Sequence, residues 1–278
     1  MKTIKQRAIA ESWKVELQKK NSIHTAGFVL PSGNWKRFDP FLIMAEDIFQ
    51  PGAFGKHPHR GMETVTYVLD GTLHHEDNKG GEGELQPGDV QWMTAGSGLM
   101  HIEAPPENTT VHTLQLWVNL PKANKMTEPR YQDILKTDTP VRKEEGVTYH
   151  LYSGSSVGLD SPTKNHVPVT MAEMEIEKGS TASPDLPSNY NGFLYVVEGS
   201  GVFGKNEIEA DKQSVLLLDP FQDDSSLSEL VIKANEKMKI ILYAGKPLNE
   251  PVVARGPFVM NSEDEIEQAY ADLRAGKF

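Results

Sequence analysis

Two pairs of side chains give this sequence the means to bind a metal ion. His57 and His59 stand two positions apart, and His101 and Glu103 have the same spacing. Because residues i and i+2 of a β-strand point to the same face, both members of a pair can reach one point in space. Two such pairs on neighbouring strands would offer a single cation three nitrogen donors and one oxygen donor.

The type of donor limits which metals fit. The chain contains no cysteine, so thiolate ligands and the common cysteine-rich structural zinc sites are excluded. Imidazole and carboxylate donors suit iron enzymes that keep coordination positions open for water, O₂ or substrate. We therefore predict one divalent transition metal, with Fe(II) expected and Mn, Ni, Cu or Zn as alternatives. The competing interpretation, surface histidines on unrelated strands, does not account for two pairs at matching spacing.

The elements that must position these pairs are predicted to be β-strands. Short runs rich in Val, Thr, Tyr, Leu and Trp recur between Gly, Pro, Asn and Asp residues, which favours a sandwich or barrel. Asp-Gly at 70–71 and Glu-Gly at 198–199 follow two of these runs, as hairpin turns would. The predicted strands cover residues 64–69, 90–93, 113–119, 169–176, 193–197, 215–218 and 239–244.

One helix is predicted close to residue 278. Ser262 and Glu265 form a capping-box pattern, and apolar residues then recur at helical spacing up to Leu273. Gly276 stands where a helix C-cap would be.

The chain repeats itself at an offset of about half its length. Residues 67–71 resemble 195–199, and residues 114–121 resemble 240–247. Two matches in the same order indicate two copies of one β-domain. We predict an N-terminal metal-binding domain at residues 1–130 and a degenerate domain at 131–278, with residues 122–145 suiting a linker.

The second copy lacks the residues of the metal pairs. Alignment of the repeat places Asp185 opposite His57 and Pro187 opposite His59. No histidine occurs at residues 225–230, where the second pair would lie. We therefore predict that the second domain binds no metal.

Charge and hydropathy narrow the range of partners. The formal net charge is −11, which argues against direct nucleic-acid binding, because nucleic-acid binders concentrate positive charge. No apolar run approaches the roughly 18 residues of a membrane span, so no membrane association is expected. The first residues lack the apolar core of a secretion signal, which predicts a cytoplasmic location.

Several stretches resemble the pirin family of cupin proteins. Residues 57–63 resemble the first cupin motif, although Pro51 stands where that motif begins with glycine. Residues 88–101 resemble the second motif, although Pro105 stands where that motif ends with asparagine. Pirins usually have Ser at the position of Ile102. The pirin-like stretches are 57–65 (HPHRGMETV), 94–103 (TAGSGLMHIE), 114–121 (LQLWVNLP) and 255–261 (RGPFVMN).

The resemblance implies a fold and a ligand set. It implies an all-β chain with two tandem cupin (double-stranded β-helix, jelly-roll) barrels and a short C-terminal helix. Iron in the N-terminal barrel would be held by His57, His59, His101 and Glu103. Glu63 is predicted to orient a ligand or serve the pocket, with direct ligation as the alternative.

The resemblance also implies two functions. Some bacterial pirins resemble quercetin 2,3-dioxygenases, which use O₂ to cleave a flavonol to a depside and carbon monoxide. In this chain, Glu103 or Glu63 would then act as the general base. Eukaryotic pirins resemble iron-dependent regulators that bind a protein partner, such as a transcription cofactor. A zinc-dependent, oxygen-independent cupin isomerase or sugar-binding protein is a third possibility.

Other histidines have no clear role in the sequence. His74 and His75 follow a predicted turn, and a solvated hairpin is favoured over a position in the cavity. His24 has no partner at ligand spacing and is predicted to lie at the surface.

Overall fold

A computed structural model describes residues 4–221 and 226–278, so only part of the stretch 225–230 lies within the described residues. The strands, numbered in chain order, are β1 (Lys5–Gln6), β2 (Ile9–Lys14), β3 (Gln18–Asn21), β4 (His24–Leu30), β5 (Phe41–Phe49), β6 (His57–His59), β7 (Met62–Asp70), β8 (Leu73–Asp77), β9 (Glu82–Leu85), β10 (Val90–Thr94), β11 (Leu99–Ala104), β12 (Val111–Asn119), β13 (Arg130–Ile134), β14 (Val141–Glu144), β15 (Val147–Ser153), β16 (Ser155–Ser156), β17 (Leu159–Asp160), β18 (Val169–Ile176), β19 (Thr181–Ala182), β20 (Asp185–Pro187), β21 (Asn191–Glu198), β22 (Ser200–Phe203), β23 (Ile208–Asp211), β24 (Ser214–Leu218), β25 (Leu227–Glu229), β26 (Ile232–Ala234), β27 (Met238–Gly245), β28 (Val253–Arg255) and β29 (Phe258–Met260).

The helices are α1 (Trp35–Phe38) and α2 (Glu263–Arg274), with 3₁₀ turns at Lys122–Asn124 and Lys136–Asp138. The capping box of α2 is formed, because the backbone N–H of Glu265 donates to Ser262 Oγ and that of Ser262 donates to the Glu265 carboxylate. Ala275 is the C-cap, and Gly276 follows it with φ of +68°. The predicted C-terminal helix is therefore confirmed.

The contacts between residues divide the chain into two units that are discontinuous in sequence. The first barrel comprises residues 16–136 and 248–278, and the second barrel comprises residues 137–247 together with the described residues up to Val15. This division differs from the contiguous boundary predicted at residue 130. The physical reason is that β2 pairs with β24 of the second barrel, while Phe258 forms a bridge with Arg60 of the first barrel.

The first barrel contains a seven-stranded sheet in the order β13-β10-β7-β12-β5-β4-β3 and a four-stranded sheet in the order β6-β11-β8-β9. Strand β7 lies near the middle of the larger sheet and is buried along most of its length. A strand covered on both faces tolerates the continuous run of apolar and Thr residues that β7 carries. The smaller sheet carries both predicted ligand pairs, on β6 and β11.

The second barrel repeats this arrangement, with sheets β14-β15-β18-β27-β21-β24-β2 and β19-β26-β22-β23 and a smaller sheet β1-β25-β20. The repeated sequence segments lie on matching strands, β7 with β21 and β12 with β27. The predicted fold of two cupin barrels is confirmed. Apolar residues fill the interior of the second barrel, including Leu186, which lies between the positions aligned with His57 and His59.

The predicted linker is more structured than its polar composition indicates. It contains β13, which pairs with β10, and β14, which pairs with β15 at the edge of a sheet. All residues of β14 are exposed, and an exposed edge strand can be polar on both faces. No helix among the described residues has the length and apolar character to span a membrane.

Candidate metal centre

Neighbouring strands bring the two predicted pairs together. Strands β6 and β11 are antiparallel, with His57 opposite His101 and His59 opposite Leu99. The imidazole Nδ1 of His57 lies 2.8 Å from the carbonyl oxygen of Gly55. A proton on Nδ1 would donate to this carbonyl, which leaves the lone pair of His57 Nε2 free to bind a metal.

Three imidazoles converge on one point. His57 Nε2 lies 3.0 Å from His101 Nε2, and the ring centroids of His57 and His59 are 4.9 Å apart. One nitrogen of each ring lies within 4.8 Å of those of the other two, as a set of ligands around one cation would require. The sequence prediction that His57, His59 and His101 form one cluster agrees with this geometry.

Burial keeps the rings of His59 and His101 in the neutral form, which is the form that binds a metal ion. His59 is only 2% exposed, and neither of its ring nitrogens has a partner in normal hydrogen-bond geometry among the described residues. Burial, together with the neighbouring His101 and His57, lowers the pKa of His59 well below its ordinary value. Burial, with His57 and His75 nearby, lowers the pKa of His101 to about 2. Both rings are therefore neutral at pH 7, and a divalent cation would satisfy the orphaned lone pairs.

Glu103 lies beside the histidine cluster. The side chains of Glu103 and His101 share one face of β11, and the carboxylate accepts hydrogen bonds from Thr66 Oγ1 at 3.2 Å and from Gln115 Nε2 at 2.8 Å. It groups with His101 and His75 within 4.8 Å, rather than with His57 and His59. The structure therefore places three converging imidazoles beside an oriented carboxylate, and the four-ligand set stays a prediction.

Glu63 does not lie on the ligand side of its strand. Gly61, with φ of +78°, interrupts the chain between β6 and β7, so the regular strand on which the prediction depends is broken. Thr66 points toward Glu103, and Glu63, three positions away in a regular strand, points to the opposite face. There it is fully buried and accepts a hydrogen bond of 2.7 Å from Thr94 Oγ1, and burial raises its pKa. The role in ligand orientation predicted for Glu63 is not supported.

His75 is the residue that the sequence interpretation placed least well. In β8, His74 is exposed and its Nε2 lies 2.9 Å from the Glu84 carboxylate, whereas His75 is buried. His75 Nδ1 lies 3.5 Å from His101 Nδ1, and its ring contacts that of Tyr131. Strand alternation after the turn could have separated the two histidines, because buried Leu73 shares a face with His75.

A partly open cavity of about 220 Å³ adjoins the cluster. Its walls combine aromatic rings with a few polar groups, and the Trp117 ring lies edge-on to His59 at 5.1 Å. The lining residues are Asp47, Phe49, Phe54, His57, His59, Thr66, Leu73, Glu103, Thr113, Gln115, Trp117 and Pro257.

A second carboxylate lines this cavity, and a further histidine contacts that carboxylate. Asp47 lines the wall, and its Oδ1 lies 2.7 Å from Nε2 of His24. Burial raises the pKa of Asp47. His24 is partly buried, so its prediction as a surface residue is wrong. The contact joins residues 23 positions apart, and the sequence spacing carries no signal for it.

Comparisons with known proteins agree with the fold. The pirin family model matches residues 21–118, and that of the pirin C-terminal cupin domain matches residues 171–278. A pirin-like protein from Solanum lycopersicum is 41% identical over 244 residues, which cover 87% of this chain and 82% of that protein.

Solved structures extend the likeness. A Geobacillus kaustophilus protein has 54% identity and a TM-score of 0.88, over 90% of this chain and 100% of that one. A quercetin 2,3-dioxygenase from Acinetobacter baumannii has 30% identity and a TM-score of 0.84, over 98% of each chain.

Proposed function

We propose that this chain, which belongs to the pirin family, is a metal-dependent dioxygenase that cleaves quercetin or a related flavonol with O₂. The observation that carries the proposal is the cluster of three converging imidazoles at the wall of an aromatic cavity. The likeness to a quercetin 2,3-dioxygenase over nearly the whole chain supports the same reaction class.

The proposed ligands are His57, His59, His101 and Glu103. The orphaned nitrogens of His59 and the short separation of His57 and His101 support a shared cation. Nitrogen and oxygen donors suit Fe(II), and Mn, Ni, Cu and Zn remain compatible with them. When bound, such a metal would lower the pKa of a coordinated hydroxyl and stabilise the resulting anion.

The residues of this chain would orient the substrate and receive its proton. Phe49, Phe54 and Trp117 offer faces and edges on which an aromatic ring can pack. Glu103 is the base that we propose for the substrate hydroxyl, because Thr66 and Gln115 hold its carboxylate at the cavity wall.

The size of the cavity bears on the substrate. Its volume of about 220 Å³ is below the roughly 300–1,000 Å³ typical of pockets that enclose drug-sized ligands. A flavonol would therefore place its metal-chelating edge inside and leave part of its rings at the opening. Smaller hydroxylated aromatic compounds would be enclosed completely, and they belong in any substrate screen.

The test begins with metal analysis of protein purified without a histidine tag. The protein is then loaded with each candidate metal, and O₂ uptake and carbon monoxide release are measured with quercetin. We expect O₂ uptake and carbon monoxide release in equal amounts with at least one redox-active metal. Fully loaded protein that takes up no O₂ across a flavonol series would refute the proposal.

Two glutamate variants provide a matched comparison. Glu103→Gln should lower metal affinity by at least about tenfold, as loss of a site carboxylate generally does, and abolish turnover. Glu63→Gln should leave metal affinity within about threefold of wild type, since Glu63 points away from the cavity. Equal losses in the two variants would contradict the assignment of Glu103.

A second candidate function is an iron- or redox-dependent protein that binds a protein partner, such as a transcription cofactor or a metabolic enzyme. The net charge of −11 favours it, because a strongly acidic surface can dock a basic protein. Affinity capture with iron-loaded protein, metal-free protein and the His101→Ala variant tests it. Recovery of the same proteins in all three samples would remove a metal-dependent switch.

A further inference from the structure

Arg60 connects the first ligand pair to two other parts of the first barrel. It directly follows His59, and its side chain is only 4% exposed. Its Nε donates to the carbonyl oxygen of Ser97 at 2.7 Å, and Nη1 donates to Asp272 Oδ2 at 2.9 Å. One side chain thus ties the His57–His59 strand to the turn before His101 and to helix α2.

The backbone beyond Arg60 is held by the strand that leads into the helix. Arg60 forms a parallel bridge with Phe258, and its carbonyl oxygen accepts a hydrogen bond from Val259 N at 3.1 Å. Buried Lys125 donates from Nζ to the carbonyl oxygens of Gly61 at 2.8 Å and of Val259 at 2.9 Å. The bend after His59 is therefore fixed against residues 257–260.

Phe278 packs beside the turn that precedes the second ligand pair. The guanidinium of Arg60 lies 4.5 Å from the centre of the Phe278 ring. Gly98 has φ of +127°, and a Cβ there would lie 2.7 Å from Phe278 Cε1. Asn78 bridges the same region, since its side chain donates to the Phe278 carbonyl oxygen and accepts from Met100 N, both at 2.9 Å.

Asp272 is the point at which helix α2 is attached. Its carboxylate accepts hydrogen bonds from Lys277, Arg60 and Gln268, which hold its pKa well below the ordinary range. It therefore carries its negative charge at neutral pH, opposite a buried guanidinium. Ile266 and Ala269 on the same helix join a small apolar cluster with Phe258.

From these contacts we infer that residues 257–278 form a clamp, with Arg60 and Asp272 as positioning residues, that sets the spacing of both ligand pairs and is coupled to metal binding. The inference rests on the proposed metal centre. Groups that orient metal ligands are worth about 10–100-fold in affinity in other proteins. By thermodynamic linkage, if the docked clamp strengthens metal binding, bound metal stabilises the docked clamp by the same factor.

The first test measures metal affinity instead of activity. Mn(II) and Ni(II) affinities are determined by competition with a chromogenic chelator for wild type, Asp272→Asn and Glu263→Gln. Asp272→Asn should weaken binding by roughly 10–100-fold, because Arg60 loses its charged partner. Glu263→Gln is the matched control. Glu263 lies on the same helix and forms an exposed ion pair with Arg255 of β28, and loss of this pair should leave metal affinity unchanged.

The second test uses the reciprocal effect and a conservative variant. Amide hydrogen exchange at residues 266–274 should slow when Mn(II) binds to wild type, and this slowing should shrink in Asp272→Asn. Arg60→Lys keeps the charge but loses the forked geometry, so its affinity should fall between those of wild type and Asp272→Asn. Phe278→Leu probes the same clamp without altering the ion pair of Arg60 and Asp272. Thermal melting of each variant verifies that it is folded at the temperature of measurement.

The outcomes separate the clamp from the proposed function. Metal binding with the predicted losses, but without dioxygenase activity, would support the clamp and refute the enzyme. Wild-type affinity in folded Asp272→Asn and Phe278→Leu, or an equal loss in Glu263→Gln, would overturn the clamp alone. Failure of the wild-type protein to bind either metal would overturn the metal centre and the clamp together.

Discussion

The buried imidazoles of His59 and His101 have a cost in the metal-free protein that depends on pH. Both stay neutral when folded, because burial lowers their pKa values. In the unfolded chain they protonate near the ordinary imidazole pKa of 6.5. Above pH 6.5 these two histidines therefore do not reduce the free energy of unfolding. As the pH falls toward their folded pKa values, they reduce it progressively.

We predict that metal-free protein loses stability steeply between pH 7 and pH 5. Each such histidine adds about 1.4 kcal/mol per pH unit to the slope once the pH is below its unfolded pKa. The measurement is urea unfolding in the presence of a chelator at several pH values. His59→Gln should flatten the slope, whereas His74→Gln should not, because His74 is exposed. Identical slopes in the two variants would show that the burial of His59 does not govern the effect.

At the scale of elements, the break between β6 and β7 decides which side chains reach the cavity. Gly61 adopts φ of +78° at this break, and a Cβ there would lie 2.0 Å from the carbonyl oxygen of Val259. The close approach of the two backbones lets Lys125 bind both carbonyl oxygens. A chain without this break would run β6 into β7 and turn Glu63 toward the ligands.

Substitution of Gly61 by Ala should therefore be much more harmful than an ordinary glycine substitution. We expect a loss of roughly 2–4 kcal/mol in unfolding free energy from strain and a displaced Val259 carbonyl, with reduced metal content. Gly80→Ala is the control, with φ of +90° and no atom within 4 Å of the added Cβ, and should cost about 1–2 kcal/mol. Denaturant unfolding and metal analysis give both quantities, and similar costs at the two positions would argue against the close approach.

At the scale of the molecule, two barrels of one design have different interiors. The first keeps a polar cluster and a cavity, whereas Leu186, Leu230 and Ile232 belong to an apolar core in the second. Asp185 and Pro187 occupy the strand that matches β6, so this strand carries no imidazole. A metal site in the second barrel would require a cation to enter an apolar interior, which is strongly unfavourable.

We predict one metal ion per chain. Titration with Mn(II) followed by elemental analysis should saturate at a single equivalent. Hydrogen exchange should show metal-dependent protection in β6 and β11 and none in the matching strands β20 and β25. A second equivalent bound with similar affinity, or equal protection in both barrels, would contradict this prediction.

The sequence by itself determined the strand class, the repeat, the terminal helix and the cluster of His57, His59 and His101. These follow from local rules, because strand alternation, turn residues and capping patterns act over a few positions. Long-range contacts decided the rest. The break at Gly61 directs Glu63 away from the cavity. Strand β8 exposes His74 and buries His75, and the pairing of β4 with β5 brings Asp47 into contact with His24. Pairing of β2 with β24 and the bridge between Arg60 and Phe258 likewise join residues far apart in sequence, whose contacts no local pattern encodes.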